Sequence, residues 1–189
     1  MNARLLILGV LHRGDFHPYE IKRRLEAALV ECYIDVDVGT LYYAVRQLEK
    51  EGLIEAIAQE RVARGGIRTI YSITPDGRRQ FQKGLHRQLE SQGPVSQTLY
   101  GAMLFLHLAD PAIVKKSLRR RLARLDELIS KLGPIREDLA PRLSTGGAHL
   151  LGHIERQRQL DRDWMNFVLA DIEANGIRDV RDPQMLASN

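Results

Sequence analysis

Residues 38–55 read VGTLYYAVRQLEKEGLIE. Leu41, Val45 and Leu48 recur at spacings of three and four, which predicts the buried stripe of a helix. Asp37, just upstream, is the expected N-cap, able to accept from N–H groups of the first turn. Gly52 is the expected stop, because glycine takes positive φ without a Cβ penalty. Thr40, Tyr43, Gln47 and Lys50 repeat on a second face with Arg46 beside it, while Tyr42 falls at the edge of the buried stripe. The apolar stripe anchors the helix, which leaves the tyrosines and the arginine to be accounted for by something outside it.

Upstream, Leu5, Leu6, Leu8, Val10 and Leu11 predict a short buried helix over residues 3–12, ended by Gly14. A second helix is expected from Pro18. Proline suits a first helical position, where its missing N–H has no partner anyway. Glu20 falls in the first turn, where the helix dipole favours an acid. Ile21, Leu25, Ala28, Leu29 and Cys32 form its apolar stripe, with Cys32 as a small core hydrophobe. Downstream the period changes. Ile67, Thr69, Tyr71 and Ile73 alternate with Arg68, Ile70 and Ser72, which is a strand pattern, and residues 53–59 supply a weaker partner strand. Gly65-Gly66 suit the hairpin turn between them. Thr74-Pro75-Asp76-Gly77 starts a fourth helix, running to about Leu89, with a cap, a proline and an acid in order. Helix, helix, helix, hairpin, helix is the order of a winged helix-turn-helix, in which a helix enters the major groove and the hairpin lies on the neighbouring backbone.

Charge points the same way. Residues 15–60 hold five Lys/Arg and ten Asp/Glu, whereas residues 61–87 hold seven Lys/Arg and Asp76 alone. A net of −5 followed by a net of +6 puts a local basic surface on the hairpin and the helix after it, suited to an anionic partner. The single cysteine excludes an internal disulfide and a cysteine-cluster zinc site, and fits a reducing compartment. No apolar run reaches the roughly 18 residues of a membrane span, and the opening residues lack the features of a signal peptide. A cytoplasmic protein with no cofactor is expected.

SQGP at 91–94 marks a boundary, so the expected organisation is a DNA-binding domain over 1–90, a helical dimerisation and effector domain over 91–175, and a flexible tail over 176–189. A helix is expected from about Leu99 to Ala109. Another, capped by Asp110-Pro111, should run to about Leu132 with Val114, Leu118, Leu122, Leu125, Leu128 and Ile129 inward. GPIREDLAPRLSTGG reads as a break or a loop with a little local helix. A last helix spans about 148–175, with Leu150, Leu151, Ile154, Leu160, Trp164, Phe167, Val168 and Ile172 on its apolar line. Long helices with one apolar face and no third layer want a partner, and a homodimer through these C-terminal helices supplies one. KKSLRRRLAR at 115–124 carries six basic residues and reads as the wet face of its helix. His149 and His153 stand four apart but have no third ligand beside them, so no metal site is assigned.

Three blocks, LGVLHRGDFHPYEIKRRLE, VGTLYYAVRQLEKEGLIE and IRTIYSITPDGRRQF, resemble the PadR family of bacterial transcriptional regulators over about residues 4–82. The rest is similar in helical organisation to the long C-terminal branch of that family. The resemblance implies a mainly α protein: a winged helix-turn-helix domain with a small β-hairpin wing, plus a helical C-terminal dimerisation domain. It implies a homodimeric transcription factor, commonly a repressor, on double-stranded DNA with a dyad-symmetric operator, released by a small, often phenolic or aromatic effector. Pro18 stands where the family usually has glycine, and Tyr43 where it usually has proline.

Thr40, Tyr43, Arg46 and Gln47 are the candidate groove residues: arginine pairs with guanine, glutamine with adenine, and a threonine methyl meets that of thymine. Lys50 shares their face, and Tyr42 is divided between phosphate contact and packing. Arg61, Arg64 and Arg68 flank the wing tip, where phosphate contacts add salt-dependent affinity. His17 and Tyr19 open the second helix, where a phosphate or the core is the destination. Tyr100, Phe105, His107, His153, Trp164 and Phe167 are candidates for an effector pocket. Two other classes stay open. A protein-interaction adaptor reuses the winged fold without DNA. An enzyme is the other, against which stands the absence of G-x-S-x-G, a Gly-rich phosphate loop and H-E-x-x-H.

Overall fold

The apolar opening forms helix α1 (Ala3–Leu11), with every residue from Leu5 to Leu11 buried. The computed structural model describes residues 3–28, 30, 40–61, 67–91 and 93–178, with the backbone alone at 61, 96, 97 and 140. Cys32, Asp37, Arg64, Gly65 and Gly66 lie outside the described residues, as does the tail from residue 179.

Helix α2 (Pro18–Ala27) begins as its sequence dictates, with Pro18 in the first turn and Glu20 at its third position. Ile21 and Leu25 are buried, but Ala28, assigned to the same stripe, is exposed just past the helix end. Helix α3 (Leu41–Lys50) buries Leu41, Ala44, Val45 and Leu48. It ends in a glycine C-cap: Gly52 sits at φ 70°, Leu53 N–H donates to Leu48 O at 2.9 Å, and Gly52 N–H to Glu49 O at 2.9 Å.

Strand β1 (Ile54–Arg61) and strand β2 (Ile67–Ile73) pair antiparallel, Ile54 opposite Ile73 and Arg61 opposite Ile67, with a register shift between Ala56 and Ala58. The alternation of β2 does not bury a whole face. Ile73 at the base is buried while Ile67 is 67% exposed, as expected of a hairpin that leaves the body of its domain. Phe16 adds a one-residue bridge to β2, exchanging both backbone hydrogen bonds with Tyr71 at 3.1 Å. Helix α4 (Pro75–Glu90) is capped by Thr74, whose hydroxyl accepts from Gly77 N–H at 3.0 Å. It buries Phe81, Leu85 and Leu89 on one line.

Residues 95–109 differ from the single helix expected over 99–109. They form α5 (Val95–Thr98), α6 (Tyr100–Leu104) and a 3-10 turn over Leu106–Leu108. Phe105 meets Phe81 edge-on with centroids 5.6 Å apart, and Gln82 donates to Leu108 O at 2.9 Å. These contacts tie the segment to α4, and the first compact unit runs through Ala109.

The second unit, Asp110–Asn189, is built on two long helices, α7 (Pro111–Leu139) and α8 (Thr145–Asn175). Asp110 caps the first, accepting from Ala112 N–H at 2.8 Å, and Ser144 caps the second through Gly147 N–H at 3.2 Å. Arg136–Glu155 at 2.8 Å and Arg162–Asp126 at 3.8 Å tie the pair antiparallel. The break expected over residues 133–147 falls in the second half of that stretch: α7 passes through Gly133-Pro134 to Leu139, and a 3-10 turn over Ala140–Arg142 separates it from α8. A residue before proline is pushed out of the α region by clashes of the ring with its backbone N–H and its Cβ, and Gly133 lacks the second. Two inward assignments fail on α7, because Leu128 is exposed and Ile129 half-buried. Arg121, placed on the wet face, is buried at 5% exposure. On α8, Leu150, Leu160 and Phe167 are exposed, while Met165 and Ile172 are buried.

Candidate nucleic-acid interface

The apolar stripe of α3 fixes which face of the helix turns outward. Tyr43 is 68% exposed, Tyr42 45%, and Thr40, Arg46 and Lys50 are exposed as well. Gln47 is half-buried. Tyr42 therefore lies off the core rather than at its edge. Thr40 occupies the N-cap position without a side-chain capping bond.

The start of α2 is a reciprocal cap. His17 Nδ1 accepts from Tyr19 N–H at 3.0 Å, and Glu20 Oε2 accepts from His17 N–H at 3.1 Å. This is a capping box with histidine in place of serine or threonine. Accepting through Nδ1 requires that nitrogen to be unprotonated. Burial lowers the His17 pKa and the charge of Arg68 adds to that, Glu20 acting in the opposite direction. Tyr19 is exposed, so it is not a core residue.

Sequence periodicity missed how this helix start meets the wing. The Phe16–Tyr71 bridge holds the residue before His17 against β2, the strand that carries exposed Arg68. Arg61 is the last residue of β1, and its side chain is not among those described; Arg64 lies outside the described residues. Two carboxylates near the end of α3 are also engaged in ways no spacing rule reveals. Tyr71 Oη donates to Glu49 Oε2 at 3.1 Å, and both terminal nitrogens of Arg4 donate to the Glu51 carboxylate. The Tyr71 phenol is pushed above its usual value by burial and by Glu49, against the pull of Arg46. Thr74 closes the junction, its hydroxyl donating to Gly52 O at 2.8 Å.

The candidate effector residues are divided. In the first unit Phe105 is buried, Tyr100 is half-buried, and Arg13 reaches His107 Nε2 at 3.3 Å. In the second, His153 and Phe167 are exposed and Trp164 is half-buried. Among the described residues no group of three or more His, Cys, Asp or Glu is placed to hold a metal ion, and no helix is long and apolar enough to cross a membrane.

Residues 7–83 match the model of the transcriptional regulator PadR-like family. No curated protein matches the chain. Among solved structures it is similar to the PadR-like transcriptional regulator BC1756 from Bacillus cereus, at 24% identity, covering 91% of this chain and 98% of that one with a TM-score of 0.37. It is similar to Bacillus subtilis PadR in complex with operator DNA, at 18% identity, 89% and 98% coverage and a TM-score of 0.40. It is similar too to Bacillus subtilis PadR in complex with p-coumaric acid, at 20% identity, 90% and 98% coverage and a TM-score of 0.37. The family match spans α2, α3, the whole hairpin and the first half of α4, so the chain carries a domain of the PadR-like family, whose members are transcriptional regulators and not enzymes.

Proposed function

We propose that this regulator binds a dyad-symmetric operator as a homodimer, represses from it, and is released by a small aromatic effector. The observation that carries the DNA reading is the exposed face of α3, where Thr40, Tyr43 and Arg46 stand clear of the core. Arg46 is suited to guanine and the Thr40 methyl to thymine. Half-buried Gln47 is suited to adenine if its amide turns outward. Lys50, Arg61, Arg64 and Arg68 serve the phosphates, as do Tyr42, Tyr19 and the capped start of α2 at His17.

DNA binding belongs to residues 1–90 in this reading, and dimerisation and effector binding to 91–175, with 176–189 a tail. Leu150, Leu160 and Phe167 of α8 and Leu128 and Ile135 of α7 support the dimer, because large apolar side chains left in water favour a partner surface. Two copies then present two α3 helices to half-sites about 34–36 Å apart. Tyr100, Phe105, His107, His153, Trp164 and Phe167 are the aromatic residues assigned to the effector. The cytoplasm is the compartment that goes with operator DNA.

The test is selection of bound sequences from a random duplex pool by the full-length protein. A dyad-symmetric consensus is the expected result. Recovery of no enriched sequence would sink the reading and leave the adaptor alternative.

A further inference from the structure

Arg46 and Glu49 stand three apart on α3, a spacing at which an arginine and a glutamate on an exposed helix face pair. They do not pair. Among the described residues no carboxylate lies within ion-pair distance of Arg46, and Glu49 instead accepts the hydrogen bond of Tyr71 Oη at 3.1 Å. Tyr71 is well placed to hold that bond. Its backbone is fixed on one side by the two 3.1 Å bonds to Phe16 and on the other by its register opposite Ala56. The strand it belongs to ends at Ile73, and the next residue, Thr74, is bonded to the turn that closes α3 through Gly52 O at 2.8 Å and Leu53 O at 3.1 Å. The phenol therefore stands on a backbone that hydrogen bonds tie to the end of α3.

We infer that Tyr71 is a positioning residue for DNA recognition, its hydroxyl holding the Glu49 carboxylate off Arg46 so that the guanidinium stays available to the groove. The inference rests on the proposed DNA reading. It adds that the wing base, beyond lending charge to the phosphates, sets how many competitors the reading arginine has. Without the hydroxyl, Glu49 turns to Arg46, and DNA must displace it. An exposed pair at this spacing corresponds to about twofold in affinity at each half-site, about fourfold for a dimer.

The test uses full-length protein and a fluorescein-labelled duplex carrying the enriched operator sequence, titrated by anisotropy. Tyr71→Phe keeps the ring and the strand, and is expected to weaken binding about fourfold. Glu49→Gln removes the competitor's charge and is expected to bind no more weakly than wild type. The decisive variant is the double substitution. If Tyr71 acts through Glu49, Tyr71→Phe with Glu49→Gln returns to the affinity of Glu49→Gln alone. If Tyr71 only stiffens the wing, the double variant stays as weak as Tyr71→Phe, and the inference is overturned. A second readout needs no DNA: the Arg46 Nε–H resonance of the free protein shifts in Tyr71→Phe and returns in the double variant, and an unmoved resonance also overturns it. Arg46→Ala separates the two levels. Wild-type affinity in that variant defeats the recognition-helix reading itself, whereas weakened Arg46→Ala beside unweakened Tyr71→Phe defeats only the role of Tyr71.

Discussion

Alanine at Gly77 should be among the most damaging small substitutions in the first unit. The residue is buried in the first turn of α4, where alanine ordinarily improves on glycine by about 1 kcal/mol. Here the added Cβ would stand 2.0 Å from Leu53 O and 2.8 Å from Ile73 Cγ1. The first neighbour is backbone, so no side-chain rotation relieves the clash. Leu53 O also accepts from Thr74 N–H at 3.2 Å and from Thr74 Oγ1 at 3.1 Å, while Leu53 N–H is committed to Leu48 O. Moving that carbonyl away strains two hydrogen bonds of about 1 kcal/mol each. Overpacking adds about 1–3 kcal/mol, so the net after the helix-propensity gain is about 2–4 kcal/mol of destabilisation. Gly84 on the same helix is the internal control. Its Cβ would meet Leu5 Cδ1 at 2.6 Å, the far end of a flexible side chain, so Gly84→Ala should stay within about 1 kcal/mol of wild type. Urea unfolding followed by far-UV circular dichroism compares the two. If Gly77→Ala unfolds at the same urea concentration as Gly84→Ala, the backbone clash is not what reserves that position for glycine.

The other expectations are more local. Arg46→Ala combined with Tyr43→Ala should abolish sequence-specific binding while leaving the dimer intact, each base contact being worth about 1–3 kcal/mol; a footprint on the same site at wild-type affinity would refute the α3 assignment. Arg68→Ala should lower the slope of log K against log salt by about 0.9 for each phosphate no longer neutralised, with sequence preference unchanged; an unaltered slope means that Arg68 does not touch the phosphates. Because the folded-state pKa of His17 lies below its ordinary 6.5, the folded form binds fewer protons than the unfolded chain, and the stability from its neutral cap is present above 6.5 and lost as pH falls through the folded value. Asparagine caps without titrating, so the stability gap between wild type and His17→Asn should move against wild type on acidification, and a gap flat with pH would show that Nδ1 is not the cap. Leu160→Asp with Phe167→Ser should give a monomer by sedimentation equilibrium; a persistent dimer would place the interface elsewhere.

What could be read from the chain is what a single element determines for itself. The α3 stripe fixes its outward face, so Tyr43 and Arg46 could be named from spacing alone. Pro18 and Glu20, and Thr74 with Pro75, announced their helix starts because capping acts within four residues. Contacts between distant segments were not legible. Nothing local pairs Phe16 with Tyr71 or Arg4 with Glu51, and nothing in residues 99–109 announces that Phe105 will pack on Phe81 and divide the helix. Pro134 misled for a different reason. A proline ordinarily stops a helix at its predecessor, but a glycine before it has no Cβ for the ring to clash with, and α7 continues to Leu139. Tyr42 and Arg121 were misplaced because a position beside a stripe boundary is decided by what packs over it, which periodicity does not describe.

The acidic balance of residues 15–60 is at first sight a poor setting for a DNA-reading helix, since five more acids than bases should repel phosphate. Four of the seven described acids in this stretch are engaged inside the domain, which limits that effect. Glu20 is turned onto the His17 N–H at the start of α2. Glu26 pairs with Lys22 at 3.3 Å along the same helix. Glu51 is held by Arg4 of α1, and Glu49 by Tyr71 of the wing. Each of the four has a hydrogen-bonded or ionic partner inside the domain, whereas Arg46 has none among the described residues. Sequence charge counts treat all these groups alike, yet the field a phosphate meets is set by which of them are already answered. If that is the basis of recognition here, Glu51→Gln should leave Arg4 unneutralised and lower stability, whereas Glu49→Gln should keep the stability of wild type and bind the operator no more weakly. Thermal unfolding and operator titration of the two variants separate these outcomes, and a parallel loss of both properties in both would mean that the carboxylates at the end of α3 share one structural role.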